Sequence, residues 1–246
     1  MWHCHSARAS MPQVQQTAPS HEQSSKWQQL SLTTYRSGNG MHHLILWEKG
    51  LPELSQLSKS TMDAYFEAHP NAGSTPNTMF SLTDSTGTGT PKLVWVQYVF
   101  HDKAIFPRQH WFANVVWPAG EANPYVALTM SIATHLETSL YRVLLTSDLG
   151  TLAEEPDFAH FNEWPVPPKP ISKLKLDRLV PHLADGVDGI SNLTATPTGN
   201  IIQLRGERED KHSPPVYITF SLKTGAWQKG LRPDAMHALG KMDKQE

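Results

Sequence analysis

Cysteine is almost absent from this chain of 246 residues: Cys4 is the only one. No internal disulfide and no multi-thiolate metal centre can form, a usage that suits a reducing compartment. Charge is also sparse. Charged side chains make up 18% of the sequence, against about 25% in an average protein. The 21 basic and 23 acidic residues leave a net charge of −2. No basic cluster stands out, so the electrostatic footprint of a nucleic-acid or anionic-membrane partner is missing.

Long apolar runs are lacking too. The longest, Leu93 to Phe100, is interrupted by Gln97 and falls far short of the ~20 residues that span a bilayer. The start, Met1-Trp2-His3-Cys4-His5, has no apolar stretch after a basic opening, so no secretory leader is expected. Phosphate-binding loops fail as well. Gly38-Asn39-Gly40 and Gly87-Thr88-Gly89 lack the later glycines, and no Gly-Lys-Ser/Thr follows either. The Gly-x-Ser-x-Gly elbow and the His-Glu-x-x-His zinc motif do not occur. These absences lead to the expectation of a soluble, cytoplasmic protein with no cofactor, no nucleic-acid partner and no membrane contact.

What is present is a body of short strands behind a polar tail. Residues 1–30 are rich in Gln, Ser and His, carry only Arg8, Glu22 and Lys26 as charges, and read as a disordered tail. Leu44 to Trp47 is a brief apolar run. Met62, Tyr65 and Phe66 fall at i, i+3 and i+4, which predicts a helix over about 58–69 that Pro70 stops. Thr78–Thr83 and Lys92–Phe100 flank a Gly-Thr-Gly segment and read as a hairpin; the second arm, apolar on both faces, reads as a central strand. Trp111–Trp117 is an aromatic strand. Val126, Leu128, Met130 and Ile132 alternate with Ala127, Thr129, Ser131 and Ala133, the pattern of a strand buried on one face. Ser139–Thr146 is read as a further strand.

Trp164–Pro170 (WPVPPKP) is stiff and extended. It divides a β-rich domain over 31–164 from a hairpin-rich part over 171–246 expected on the same core, with 165–170 as connector. In that second part, Leu174, Leu179, Val180 and Leu183 suggest a short helix. Ser191–Thr196 pairs with Ile201–Arg208, and Val216–Leu222 turns at Thr224-Gly225 into Ala226-Trp227. A last helix is expected over about 233–239. The expected class is therefore α+β: a predominantly antiparallel sheet, barrel-like or strongly curved, with two or three short helices.

Histidine is the one enriched reactive type, with 13 copies. His101, Asp102 and His110 bracket the turn between the two most aromatic strands, and His135 and Glu137 share a face if extended. Two histidines and a carboxylate suit a facial metal site, or proton transfer near neutral pH. Gly40, His42, His43, Glu48 and Gly50, followed by Pro118-Ala119-Gly120, resemble the two halves of the cupin pattern. The adjacent His42 and His43 point to opposite faces of a strand, and no His follows Gly120 closely, so that family's metal set is not reproduced.

The aromatic set is denser. Trp95, Tyr98, Trp111 and Trp117 lie close in sequence and would line an apolar pocket with indole and phenol donors. The leading expectation is a binding or accessory protein that holds a hydrophobic small molecule or a protein partner near these rings. The alternatives are a His/carboxylate enzyme using His101, Asp102, His110, His135 and Glu137, and a structural assembly subunit.

Overall fold

The computed structural model describes residues 28–37, 40–51, 57–70, 75–86, 91–101, 109–132, 135–150, 158–177, 190–210, 212 and 214–229. Among the described residues, twelve strands fall into three sheets of four, and each sheet is built from strands consecutive in the chain. Sheet A holds β1 (Gln28–Ser37), β2 (Gly40–Gly50), β3 (Thr78–Asp84) and β4 (Lys92–Val99). Sheet B holds β5 (Gln109–Val116), β6 (Tyr125–Ile132), β7 (His135–Arg142) and β8 (Ser172–Asp177). Sheet C holds β9 (Ile190–Thr198), β10 (Ile201–Arg208), β11 (Val216–Ser221) and β12 (Ala226–Lys229). Every pairing is antiparallel. That follows from tight connections such as the turns at Gly199 and Gly225, whose φ of +55° and +67° glycine adopts without steric cost.

This architecture corrects the α+β expectation. The described residues contain one α-helix, α1 (Lys59–Ala68), and one 3-10 segment, Phe158–Glu163, and the sheets close no barrel. Closure into a barrel leaves one inner face, whereas here sheet B buries both. Val116, Tyr125, Ala127, Leu136, Leu140 and Leu174 pack on sheet C. Val126, Leu128, Tyr141 and Val143 pack on sheet A. Period-two alternation assigns residues to opposite faces of a sheet but does not say that both are covered. The small residues of β6 look like a solvent face in sequence. They are buried instead, because Ala127, Thr129 and Ser131 let sheet C approach closely.

A fourth layer lies on the outside of sheet A. Ser58 caps α1, its hydroxyl accepting from the Thr61 amide at 3.2 Å, the N-terminal capping that serine favours. Tyr65 is the one fully buried residue of that helix. It packs with Phe158 and Phe161 of the 3-10 segment and with Leu51, Met79, Leu93 and Val96 of sheet A. Thus β4 is covered on both faces, but it is an edge strand rather than a central one. Its margin is taken by the chain after β7: the Leu93 amide donates to Gly150 O and the Leu149 amide to Leu93 O.

Two further readings are revised. The helix expected around Leu174 begins as strand β8, since Ser-Lys-Leu-Lys-Leu-Asp alternates and buries Leu174 in sheet B; residues 178–189 lie outside the described residues, as does the helix expected over 233–239. Strand β1 begins within the segment read as a tail and extends β2 into an eleven-residue arm. Tyr98 donates its hydroxyl to Pro165 O at 3.0 Å, so the proline-rich segment starts against sheet A before the chain enters sheet B at β8.

Candidate functional site

The A/B interface does not fill. Sheet A contributes Trp95, Gln97 and Val99 from one face of β4, and sheet B contributes Glu137, Ser139 and Tyr141 from one face of β7. Between the sheets lies a half-open cavity of about 450 Å³, lined by Gln97, Tyr98, Val99, Phe100, Trp111, Leu128, Met130, Glu137, Ser139, Tyr141 and Lys173, with Tyr65 and Pro76 at its margin. The size is within the range of small-molecule sites. Trp95 and Tyr141 meet edge to face with centroids 5.4 Å apart, a geometry aromatic pairs favour.

The cavity is amphipathic. Gln97 Oε1 is buried and has no hydrogen-bond partner among the described residues. A buried acceptor left unpaired costs about 1–3 kcal/mol, so this atom stores a specific demand for a donor. Trp111 spends its indole N–H on Phe100 O at 3.2 Å, leaving its ring face as an apolar wall. Glu137 sits 3.3 Å from Lys175 and 3.9 Å from His135. Burial raises the Tyr141 phenol above its ordinary range, against a smaller opposing hydrogen bond with Ser139. Burial raises Tyr98 further, with Tyr65 adding to it. Both phenols are therefore neutral at physiological pH and act as hydrogen-bonding groups, not anions.

No family model, curated protein or solved structure matches this chain.

The sequence-nominated residues separate into groups. Tyr98 and Trp111 line the cavity. Trp95 is fully buried in the A/B core beside it, with its indole nitrogen unpartnered among the described residues. Trp117 lies at the other end of the interface. There it packs against Tyr35 and His42, with centroids at 5.0 and 5.5 Å, and donates to Glu121 O at 2.8 Å. Trp111 and Trp117 are six residues apart on one extended segment, about 20 Å; one pocket does not join them.

Of the reactive set, Glu137 alone borders the cavity. His110 stacks on Phe112 and lies 3.9 Å from Glu209. The backbone of His101 is clasped by Asn77, which donates to its carbonyl at 2.9 Å and accepts from its amide at 2.7 Å. Asp102 lies outside the described residues. Among the described residues, no group of three or more His, Cys, Asp or Glu able to hold a metal occurs.

Sequence reading missed Gln97, Met130, Ser139, Tyr141 and Lys173. Their signal was available in part: Glu137, Ser139 and Tyr141 alternate along one strand, and Gln97 interrupts the most apolar run of the chain. Their meeting depends on stacking two sheets, which no local pattern encodes. His42 forms a different pair, Nδ1 lying 2.9 Å from Oδ2 of the buried Asp84. It belongs to the Trp117 end of the interface. No helix among the described residues is long and apolar enough to cross a membrane.

Proposed function

We propose that this protein binds a small aromatic molecule that carries a hydrogen-bond donor, within the cavity between sheets A and B. One observation carries the reading: Gln97 lines a cavity walled by Tyr98, Phe100, Trp111 and Tyr141, and its Oε1 is buried with no hydrogen-bond partner among the described residues. Buried polar atoms in folded proteins are almost always satisfied, and an exception calls for an explanation. With the Gln97 amide turned so that its oxygen faces the cavity, a ligand O–H or N–H supplies one, while the rings cover the ligand's apolar body. Lys173 and Glu137 at the lining add polar groups that fix orientation.

The test uses 2-naphthol as the probe and amide-resolved NMR as the readout. Added naphthol is expected to shift the Gln97 side-chain amide and the Trp111 indole N–H, and to leave the B/C core around Ile202 and Phe220 unmoved. Ser139→Phe, which places a ring in the cavity, is expected to abolish those shifts. Shifts spread evenly over the surface, or shifts that survive Ser139→Phe, would overturn the proposal.

A further inference from the structure

The charges around the A/B cavity do not cancel among the described residues. Strand β8 pairs with β7 so that Lys175 stands opposite Glu137 and Lys173 opposite Ser139. Residues directly opposite one another in an antiparallel pair share a face, so both lysines project from the face of sheet B that carries Glu137, Ser139 and Tyr141. Their situations differ. Lys175 Nζ lies 3.3 Å from Glu137 Oε2, and His135 Nε2 lies 3.9 Å from the same oxygen. Glu137 is the one acid in the described lining of the cavity, and its charge is thus matched by a cation of its own. Lys173 also lines the cavity, yet its ammonium has no ion-pair or hydrogen-bond partner among the described residues. It is exposed, so it stands where the half-open cavity meets solvent. One positive charge is left over beside the aromatic walls.

Resting on the binding proposal above, we infer that the ligand of this cavity is an anion: an aromatic carboxylic acid with a ring hydroxyl, its carboxylate paired with Lys173 and its hydroxyl directed at Gln97. Gln97 belongs to sheet A and Lys173 to sheet B. The two polar handles therefore stand on opposite walls, and packed sheets lie about 10 Å apart. A rigid two-ring body with a polar group at each end suits that arrangement. A cationic ligand is disfavoured, because an amine at Glu137 would displace Lys175 and bring a further positive charge beside Lys173. The aromatic walls keep water from one side of the pair, which strengthens its attraction over that in bulk water. The exposure of Lys173 holds the gain to the modest range of surface ion pairs. Lys173 thus sets which aromatic binds rather than how tightly.

Isothermal titration of the full chain with 6-hydroxy-2-naphthoate and with its neutral amide, 6-hydroxy-2-naphthamide, tests this at neutral pH and low salt. Titration of 2-naphthol alongside reports on the binding proposal itself. The acid is expected to bind about fivefold more tightly than the amide, and the margin is expected to shrink as salt is added. Lys173→Gln is expected to erase the margin, and Lys173→Arg, which keeps the charge, to retain it. Lys223→Gln makes the same change of net charge on the turn between β11 and β12, and is expected to leave the margin intact. If 2-naphthol binds while acid and amide bind alike, the inference is overturned and the binding proposal stands. If none of the three compounds binds, the binding proposal falls and the inference falls with it. A margin that survives Lys173→Gln, or that Lys223→Gln removes equally, also overturns the inference, since this ammonium would not be what selects the acid.

Discussion

Sheet B presents two faces to two neighbours, and the faces differ in kind. Toward sheet C it offers Ala127, Leu136, Leu140 and Leu174, which meet Ile190, Leu193, Ile202, Leu204, Ile218 and Phe220. The polar side chains buried on that face answer each other: Thr129 and Thr138, opposite in register, are linked by their hydroxyls at 2.9 Å. Toward sheet A it offers Trp111, Met130, Glu137, Ser139 and Tyr141, and there a cavity and the unpartnered atoms of Trp95 and Gln97 are found. The same strands build both interfaces, so strand geometry does not cause the difference. Both cores hold rings and branched aliphatics, Tyr125 and Phe220 among the former in the B/C core. What sets the A/B cavity apart is its polar lining of Gln97, Glu137, Ser139 and Lys173. One interface holds the fold together, and the other has room for a ligand.

Truncation distinguishes them most sharply. Leu140→Ala, in the B/C core, is expected to lower stability by about 2–5 kcal/mol in urea unfolding. Met130→Ala, at an interface already open, is expected to cost less than about 1.5 kcal/mol. Equal costs would erase the contrast.

A smaller effect is expected where sheets B and C meet edge to edge. Asn114→Ala removes the side chain that bridges β5 and β9, and leaves Leu193 O and the Ala195 N–H to find other partners. The expected loss is about 1–3 kcal/mol by thermal or chemical unfolding, with ligand binding unchanged. A loss of naphthol binding in that variant would mean the two interfaces are not independent.

Gln97→Leu has the opposite sign. Replacing an unpartnered buried acceptor by an apolar group of similar shape is expected to leave the free protein equally stable, or more stable by up to about 1 kcal/mol. Destabilisation by Gln97→Leu would mean that its oxygen is satisfied in solution, against the binding proposal.

The least effect at neutral pH comes from the phenols. Burial raises Tyr35, Tyr65, Tyr98 and Tyr141 above their unfolded value. The folded state therefore retains protons that the unfolded state releases near pH 10, so stability is complete below that pH and falls as pH rises further. Tyr98→Phe is expected to flatten this alkaline decline, measured by urea unfolding between pH 9 and pH 11. An unchanged slope would show that Tyr98 is not among the phenols responsible.

How much of this was legible in the sequence depended on range. The helix was readable because Ser58, the spacing of Met62, Tyr65 and Phe66, and Pro70 are local signals, and α1 runs from Lys59 to Ala68. The hairpins of sheet C were readable from Thr-Gly turns between alternating runs. Strand β1 was missed because Gln, Ser and Thr dominate it, although Gly38-Asn39-Gly40 ahead of an apolar run is a hairpin signal. The three-sheet stack was not legible, since Ala127, Thr129 and Ser131 look the same whether they face water or a third sheet. For the cavity, Tyr98 and Trp111 were nominated by composition alone. Gln97 was noted only as an interruption, yet it is the atom on which the binding proposal turns.

The most direct measurement is isothermal titration of 2-naphthol against 2-methoxynaphthalene, its analogue without a donor. Donation to Gln97 Oε1 predicts that the methyl ether binds the native protein at least tenfold more weakly, a difference of about 1.4 kcal/mol or more, and that Gln97→Leu removes this preference. Equal binding of the two compounds, or a preference that persists in Gln97→Leu, would contradict the claim that this interface is a ligand site organised around that oxygen.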